Sequence, residues 1–457
     1  MNKKTSDFWL LIYKAIWIVV MLMKAVPWLD WHLSPYIRLL LIPGALLILW
    51  EYFVQKKMWS KPLVFLIGFC VAYGCTALLA RGDGFAGNLK SVFYMAVAFL
   101  LFYGHDWERE PALVKREIKI LGRLFVTGTF LLAAICFATF LFSYNQVYTW
   151  GEKIGYIGMW DNRLWGLYNA NTGGALNVIS LLILSGLFLA EEKKSWRVFY
   201  VGNGILQFLC LVLTYSRTSF YSLILALCIG IFILLPHWDQ EKRMKRNVKS
   251  LGFRLVIVLL IPLFFVTLEK VTRWGLSYLP GIVQEITGEA EWDGQREVLD
   301  RIETLEHRGG GILTGRPILW EAGWHAFLES PFFGVGRENL YDRSVGYLSD
   351  PSWAPDLAAG GVHNGYLTLL ISSGLLGTAC LALFWIRTVW QIFRMVRKKK
   401  EKLDLPFCIG GILLLLYFIM EVLEARILYQ VNIFMALYWM VYGYVMYFTE
   451  RAEGQTH

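Results

Sequence analysis

Charged residues are scarce in this chain of 457 residues. Only 17% of the residues are Asp, Glu, Lys or Arg, whereas 56% are hydrophobic and 16% are aromatic. A soluble domain carries about 25% charged residues, so the composition excludes an ordinary soluble protein. Spanning the ~30 Å hydrocarbon layer takes about 20 mostly apolar residues, and such runs recur along the whole chain. The sequence therefore predicts a polytopic helical membrane protein.

Cysteine motifs are also missing. None of the seven cysteines lies in the longest polar loop, and no CxxC or Cys/His spacing occurs. Neither a disulfide framework nor a zinc site is indicated, and we interpret the cysteines as small hydrophobic side chains of a helix bundle. Histidines and carboxylates at metal-ligand spacing are likewise lacking, so hydrolytic metal chemistry is not expected.

The apolar runs predict an all-α fold of about twelve transmembrane helices. Their starts lie near Phe8, Tyr36, Pro62, Ser91, Arg123, Thr172, Val198, Thr218, Gly252, Gly365, Leu405 and Val431. The first run, which carries Lys14 and Lys24, is too long and too polar in its middle for a cleaved signal. We expect spans one to nine in residues 1–268, an extracytoplasmic loop domain in residues 269–364, and spans ten to twelve with a cytoplasmic tail in residues 365–457.

Lysine and arginine indicate the orientation, because basic loops close to helix ends stay in the cytoplasm. With the N-terminus inside, the cytoplasmic loops carry Lys56, Lys57 and Lys61; Arg109, Lys115, Arg116 and Lys119; Lys193, Lys194 and Arg197; Lys242, Arg243, Lys245, Arg246 and Lys249; and Arg394, Arg397, Lys398, Lys399, Lys400 and Lys402. The loops on the opposite side hold few basic residues. This topology accounts for the formal net charge of +9, so nucleic-acid binding is not needed to explain it.

One predicted external segment, roughly Glu269 to Val362, is much longer than most other loops. Such a long connection in a compact fold is usually functional. The pattern from Gln295 to Leu305 predicts an amphipathic surface helix. A second predicted helix begins at Pro317 and ends at Pro331.

Aromatic residues recur on this second helix. Trp320, Trp324 and Phe327 follow i, i+4, i+7 spacing and therefore share one face. Tryptophan is favoured at the bilayer interface, so the helix could lie there. Alternatively, Trp320 and its neighbours could form a platform that binds sugar rings or a lipid-linked substrate.

Three arginines are candidates for binding an anion. Arg316 directly precedes Pro317, which places it near the positive end of the predicted helix. Arg217 lies in a very short external turn between two spans, where an ionisable group is costly and is a functional candidate, although it could also snorkel to the headgroups. Arg163 belongs to an external loop rich in asparagine and glycine, and is either a contact to a polar substrate or part of a polar turn.

The segment Gly360-Gly361-Val362-His363-Asn364 supplies a titratable imidazole where the long loop meets the tenth span. The glycines let backbone and substrate approach closely. A proton acceptor that shares its membrane level with guanidiniums suggests chemistry on an anionic, phosphate-bearing substrate. His363 could instead be a hydrogen-bonded structural residue. His325 on the predicted helix is a weaker candidate for the proton acceptor.

Two carboxylates near the end of the eleventh span lie close to an arginine in the sequence. Glu421 and Glu424 precede Arg426 by five and two residues. Paired internally, they would form a structural ion pair between helices. Alternatively, Glu421 and Glu424 could contact a substrate.

Several of these motifs together resemble the O-antigen ligase and O-antigen polymerase family of membrane glycosyltransferases. That family's pattern is a His-Asn pair, nine residues and then GxxG, matched here by His363-Asn364, Gly365 to Ser373, and Gly374 to Gly377. The long preceding loop, the Ser216-Arg217 turn, Gly315-Arg316 with Trp320, and Pro331-Phe-Phe-Gly-Val-Gly336 are also similar to the family. The resemblance runs from about Arg163 to Gly377.

The resemblance implies a reaction. Members transfer a preassembled glycan from a polyprenyl (undecaprenyl) diphosphate carrier to a hydroxyl of a glycan, lipid or protein acceptor. They act at the outer face of the bacterial cytoplasmic membrane, with neither metal nor nucleotide cofactor. Carried onto this chain, Arg217 and Arg316 would bind the diphosphate, His363 would accept the proton of the attacking hydroxyl, and Arg163, Asn364 and Trp320 would contact the substrate. Membrane lipid, but not nucleic acid, is an expected partner.

Other functions remain open at this level. A polymerase, which joins repeat units, and a ligase, which passes a finished chain to its acceptor, share the same motif. A transporter or lipid-linked-glycan flippase is the alternative from a different class, but transporters place polar groups near the bilayer midplane, often in two matching halves. Here the polar candidates collect on one face. A non-catalytic scaffold of polysaccharide assembly would leave His363 and the arginines without a purpose.

Overall fold

A computed structural model describes residues 3–57, 60–80, 84–151, 153–234, 248–287, 315–398 and 403–454. The predicted helix from Gln295 to Leu305 lies outside these ranges. So do several members of the predicted cytoplasmic basic clusters, namely Lys242, Arg243, Lys245, Arg246, Lys399, Lys400 and Lys402.

The described residues form helices and one small sheet. The first six helices are α1 (Lys3–Lys24), α2 (Pro27–Ile37), α3 (Leu41–Leu49), α4 (Leu63–Leu79), α5 (Phe85–Val97) and α6 (Pro111–Leu141). Three strands follow, β1 (Gln146–Trp150), β2 (Lys153–Trp160) and β3 (Arg163–Gly166). The next helices are α7 (Ala170–Leu189), α8 (Lys194–Thr214), α9 (Arg217–Leu234), α10 (Val248–Leu276) and α11 (Leu279–Thr287). The chain continues with α12 (Arg316–Glu329), α13 (Leu340–Ser344), α14 (Ala354–Gly360), α15 (Gly365–Lys398), α16 (Leu405–Met420) and α17 (Ile433–Gly454).

The helical membrane architecture is confirmed. Within the described ranges, nine helical segments are long and apolar enough to cross a membrane, and α4 and α16 are shorter apolar helices. Helix α17 covers the predicted twelfth span, so each predicted span start falls in or beside a helix. The count of twelve crossings and the boundaries at residues 268 and 364 stay predictions; α10 itself continues to Leu276.

A three-stranded antiparallel sheet of order β1-β2-β3 is an addition to the predicted all-α fold. It lies in the predicted external loop around Arg163, which is rich in asparagine and glycine. Asp161 and Asn162 connect β2 to β3 and both have positive φ, 51° and 55°. Two positive φ values in a two-residue loop are the type I′ geometry that suits the twist of a hairpin. The Asp-Asn pair between two aromatic-rich runs was therefore a hairpin signal in the sequence.

The buried core explains why the first predicted span carries a lysine. Lys14 on α1 donates to Glu117 on α6 over 2.8 Å, and both side chains are almost completely buried. Arg109 reaches the second oxygen of Glu117 over 2.9 Å, while the Tyr444 hydroxyl donates to the first over 2.6 Å. Charges inside a membrane protein are normally paired in this way.

Helix α15 is broken at Gly374, the first glycine of the GxxG motif. Gly374 has φ 60° and ψ −168°, a conformation open only to glycine. The break frees backbone groups on both sides, and the segment Pro331–Gly336, which we call the loop strap, pairs with them. Val335 and Gly336 donate to Ile371 and Ser372 over 2.9 and 3.0 Å.

The loop strap also accepts two hydrogen bonds beyond the break. Leu375 donates to Pro331 over 2.8 Å and Leu376 to Phe332 over 3.1 Å. Non-helical backbone at membrane depth is tolerated when other protein groups satisfy it. The long loop and the tenth predicted span are therefore one structural unit, and two motifs far apart in the sequence meet at one place.

We predict that Gly374→Ala destabilises the protein by about 1–3 kcal/mol from backbone strain alone. The loss should be larger in practice, because a Cβ at Gly374 would lie 2.4 Å from the carbonyl oxygen of Phe332. Thermal unfolding of the purified protein in detergent measures the effect. Gly411→Ala on α16 is the matched control, since a Cβ there meets nothing within 4 Å. Equal unfolding temperatures for the two variants would contradict this account of the break.

Candidate functional site

His363 lies in a tight turn between α14 and α15. Its φ is 49°, a left-handed value that histidine, asparagine and aspartate adopt more often than other non-glycine residues. Gly361 precedes it with φ 67° and ψ −143°, which only glycine adopts readily. The turn thus holds the imidazole in a constrained backbone geometry, as is common at functional sites.

Gly360 makes room for the imidazole ring. A Cβ at Gly360 would lie 2.1 Å from Cε1 of His363 and 2.4 Å from its Nε2. The ring therefore lies directly over the Gly360 backbone. Gly361 thus allows the turn and Gly360 makes space for the imidazole. Close approach of a substrate to these glycines stays a prediction.

Asn364 begins α15 as its N-cap. Its side-chain oxygen accepts a hydrogen bond from the backbone of Leu367 over 2.8 Å, and its carbonyl accepts one from Thr368 over 2.8 Å. These bonds satisfy donors at the helix start that would otherwise lack partners. The structure thus gives the asparagine of the His-Asn pair a structural role, and its contact with substrate stays a prediction.

Arg316 is the first residue of α12, and Pro317 follows it as the sequence predicted. Gly315 precedes Arg316 with φ 73° and lies under the indole of Trp353, where a Cβ would be 2.0 Å from the ring. Gly323 brings the same helix against Val362, since a Cβ there would lie 2.6 Å from a Val362 methyl group. Packing of α12 thereby places Arg316 near the residue that follows Val362, His363.

Charged side chains converge around this point. Burial lowers the pKa of Arg316, the nearby carboxylate of Glu424 raises it, and Arg217 lowers it again. Arg217 is exposed at the start of α9. Glu424 in turn pairs with Arg426 over 3.4 Å. Glu424 and Arg426 do form an ion pair, but both lie in the loop between α16 and α17, so the pair does not join two helices as predicted. The Glu421 carboxylate accepts the backbone N–H of Arg426 over 2.8 Å.

The imidazole of His363 lies within electrostatic range of the same groups. Burial is the main cause that lowers the pKa of His363 below its ordinary value of 6.5. Glu424 and Asp356 raise this pKa, while Arg316 and Arg426 lower it. The net direction is downward, so the imidazole is neutral at neutral pH and can accept a proton.

A cavity of about 340 Å³ opens beside His363. It lies among the C-terminal ends of α1 and α14, the starts of α7 and α17, and the loop between α16 and α17. Its lining consists of Met21, Lys24, Ala25, Asn169, Asn171, Thr172, Ala359, Gly360, His363, Glu424, Ala425, Arg426, Gln430, Asn432, Ile433 and Phe434. Such a size is in the range of small-ligand sites, and the polar groups in the lining fit a hydrophilic ligand.

Trp320 and Trp324 do not share one environment. Trp320 is partly buried against the core of the loop domain, Phe327 is buried, and Trp324 is 47% exposed. The ring of Trp324 packs on Phe327 with centroids 5.1 Å apart. The structure therefore uses Trp320 for packing within the loop, and a stacking role of Trp320 toward a sugar stays a prediction.

Arg163 is tied into the protein. It donates to the carbonyl of Thr214 at the end of α8 over 2.8 Å and to the side-chain oxygen of Asn171 on α7 over 2.5 Å. Asn171 lines the cavity beside His363. Arg163 thus connects the sheet to the site as a residue that orients Asn171, and direct contact between Arg163 and substrate stays a prediction.

Part of this site does not follow from the sequence pattern. Glu424 and Arg426 form an ion pair, but both also line the cavity, and Arg426 lies over the ring of Phe434 at 4.5 Å. Lys24 and Asn171, which the sequence pattern does not mark as site residues, line it as well. Lys24 is a charged residue at the end of an apolar run, and that position could have indicated a role in the site. Asn171 lies in a polar loop, and nothing else in the sequence indicates a role for it. His325 is exposed and stacks on Tyr347 at 5.2 Å.

Among the described residues, no group of three or more His, Cys, Asp and Glu side chains is arranged to hold a metal ion. Metal-free chemistry stays a prediction that experiment must test.

We predict that Arg163→Ala lowers the free energy of unfolding by about 1–3 kcal/mol, because Thr214 and Asn171 lose a charged hydrogen-bond donor. Arg217→Ala should change it by less than about 0.5 kcal/mol, because that side chain is exposed. Thermal or denaturant unfolding in detergent compares the two. If Arg163→Ala unfolded like the wild-type protein, its structural role would be wrong.

Comparison with known proteins bears on these motifs. Residues 202–382 match the model of the family described as O-antigen ligase. The match contains Arg217, Arg316, the loop strap and the turn that carries His363, and it ends beyond the break in α15. No curated protein matches the chain. This match covers less than half of the chain, and it supports the resemblance to the O-antigen ligase and polymerase family that the motifs indicate.

Proposed function

We propose that this O-antigen ligase-type membrane glycosyltransferase transfers a glycan from a polyprenyl diphosphate carrier to an acceptor hydroxyl at the extracytoplasmic face of the membrane. One observation carries the proposal. His363, held in a strained turn at the edge of a polar cavity, lies within electrostatic range of Arg316, Glu424 and Arg426. Base, cationic groups and a space for substrate thus occur together.

His363 acts as the general base. Its neutral imidazole accepts the proton of the acceptor hydroxyl while that oxygen attacks the anomeric carbon of the glycan. A bond forms between the hydroxyl oxygen and the anomeric carbon, and the bond from that carbon to the diphosphate oxygen breaks. The bonding electron pair leaves with the diphosphate. A positioned base contributes roughly 10²–10⁴-fold to such a step.

Arg316 and Arg217 stabilise the leaving group. The diphosphate gains negative charge as its bond to the sugar breaks, so fixed guanidiniums interact more strongly with the transition state than with the bound donor. Arg316 also lies at the N-terminal end of α12, where the helix dipole favours an anion. Burial is the main cause that lowers the pKa of Arg316, and repulsion from Arg217 lowers it further. An anion bound beside both guanidiniums would relieve this repulsion.

Glu424 keeps the local charge balanced. Its negative charge raises the pKa of His363 and the pKa of Arg316. After proton transfer, the imidazolium would be stabilised by this carboxylate. The same set of groups serves a glycan, lipid or protein acceptor, so ligase and polymerase activity share this mechanism.

Reconstitution with a polyprenyl diphosphate-linked oligosaccharide and candidate acceptors tests the proposal. We expect His363→Asn to lower the transfer rate roughly 10²–10⁴-fold while donor binding is retained. Asparagine is chosen because it tolerates the left-handed backbone at this position. His325→Asn, which removes an exposed histidine of the same loop domain, is the matched control. Transfer at the wild-type rate by His363→Asn would exclude the base role.

The same assay addresses the arginines and the cofactor. Arg217→Ala and Arg316→Ala should lower turnover by roughly 10²–10³-fold at saturating acceptor, the usual effect of removing one charge-stabilising group. Arg343→Ala is the control, because Arg343 is an exposed arginine of the same loop that pairs with Glu329. Activity that persists in EDTA agrees with metal-free transfer, whereas activity abolished by EDTA and restored by one divalent cation would refute it.

We further predict the pH dependence of transfer. Because the pKa of His363 is lowered, the neutral base persists below pH 6.5. The rate should rise with pH to a plateau, with its midpoint below 6.5. Glu424→Gln removes a charge that raises this pKa, so the midpoint should move further down. Asp356→Asn should cause a shift in the same direction. A midpoint that moves upward in Glu424→Gln would contradict the assigned electrostatics.

A further inference from the structure

A second cavity lies among five helices. Helix α1 packs against α6, α6 against α7, α7 against α16, α16 against α17, and α17 against α1. This ring surrounds a cavity of about 530 Å³. Its walls are almost entirely apolar and include Leu121 and Phe125 on α6, Ile183 on α7, Leu413 on α16 and Met440 on α17.

Most of the lining segments lie toward one end of the bundle, whereas Ile18 on α1 and Leu437 on α17 lie about one helical turn from residues that line the cavity beside His363. The cavity reaches from Lys115 to Phe125 along α6 and from Leu405 to Leu413 along α16. At 1.5 Å per residue, the ten steps along α6 correspond to about 15 Å. That depth is half of the ~30 Å hydrocarbon layer, so the cavity has the length of one leaflet.

This end of the bundle is opposite to the His363 site. Helix α7 begins with Asn171 and Thr172 at the polar cavity and ends with Leu187 at the apolar one. It is also the end where the basic loops lie, which the distribution of lysine and arginine predicts to be cytoplasmic. The apolar cavity is thus separate from the proposed reaction centre.

Basic residues stand at the mouth of the apolar cavity. Lys115 pairs with Asp404 over 2.5 Å, and Lys119 pairs with Glu191 over 3.1 Å. Arg116 is exposed between them, and within the described ranges it makes no ion pair. The mouth therefore offers positive charge directly above an apolar slot of one-leaflet depth.

We propose that this cavity binds an anionic glycerophospholipid of the inner leaflet. Its phosphate contacts Arg116 and the neighbouring lysines, and one acyl chain fills the slot between α6, α7, α16 and α17. Basic pockets between transmembrane helices on the cytoplasmic side suit anionic headgroups. The leaflet-length depth fits an acyl chain better than the longer polyprenyl chain of a glycan carrier.

The cavity can be filled by one substitution. A Cβ at Gly122 would lie 3.5 Å from Ile183 and 3.6 Å from Leu187, which is ordinary contact. Gly122, Ile183 and Leu187 all line the cavity, so Gly122→Leu adds side-chain volume between α6 and α7 at the slot, and the unfolding temperature shows whether the fold tolerates it. Gly202→Leu on α8 is the matched control, because Gly202 is exposed and a Cβ there meets nothing within 4 Å. Arg116→Gln removes the charge at the mouth, and Arg397→Gln removes one from the same end of the bundle outside the cavity.

The experiment adds lipids to the delipidated full-length protein. Retained lipid is counted by native mass spectrometry, and unfolding temperatures are recorded in parallel. The probes are dioleoylphosphatidylglycerol, dioleoylphosphatidylcholine and a polyprenyl phosphate. We expect preferential retention of phosphatidylglycerol, a loss of roughly fivefold in affinity in Arg116→Gln, and abolished binding in Gly122→Leu. Gly202→Leu and Arg397→Gln should bind as the wild type does.

The possible outcomes distinguish an anionic phospholipid from the other candidate lipids. Equal retention of both phospholipids, or binding unchanged by Gly122→Leu, would overturn the proposal. Preferential retention of the polyprenyl phosphate would overturn it in favour of a carrier lipid. None of these measurements depends on glycan transfer, so the lipid site can fail while the proposed reaction stands.

Discussion

The break in α15 at Gly374 is the constraint on which the site depends. A helix interrupted inside a membrane protein leaves backbone donors and acceptors that need partners. Here the loop strap supplies them, with four backbone hydrogen bonds of 2.8–3.1 Å. The bonds anchor the loop beside the first half of α15, which begins immediately after His363 and Asn364. Helix α12 ends just before the strap, so the arginine at its start is held toward the histidine.

Electrostatics at the site follows from this packing. Burial of His363 opposes its positive form, and two guanidiniums oppose it further, while the carboxylates of Glu424 and Asp356 partly compensate. The balance leaves a neutral imidazole in a cationic surrounding. That combination suits a group that takes a proton while an anion is bound next to it, because the positive field serves the leaving group and the neutral ring serves the hydroxyl.

Much of this arrangement was predictable from local signals. Apolar runs located the helices, Pro317 located the start of α12, and the glycines around His363 indicated a special backbone. The convergence of Arg316 with Glu424 was not predictable, because it depends on how α12 packs on Val362 and Ile371. The sheet was not predicted, because an Asp-Asn pair such as Asp161-Asn162 suits a polar turn as well as the type I′ hairpin that it forms here. Asn171 enters the site only through packing of α7, which no local pattern encodes.

The cluster around Glu117 has a consequence for how the chain is assembled. Lys14 lies on the first helix, its carboxylate partner lies 103 residues later, and the Tyr444 hydroxyl that completes the cluster lies 327 residues beyond that. If α1 enters the bilayer before residue 117 has been made, its ammonium group lacks its carboxylate partner. Helix α1 can reach its final packing only after Glu117 and Tyr444 have been synthesised, so a segment that is made early depends on contacts that are made much later.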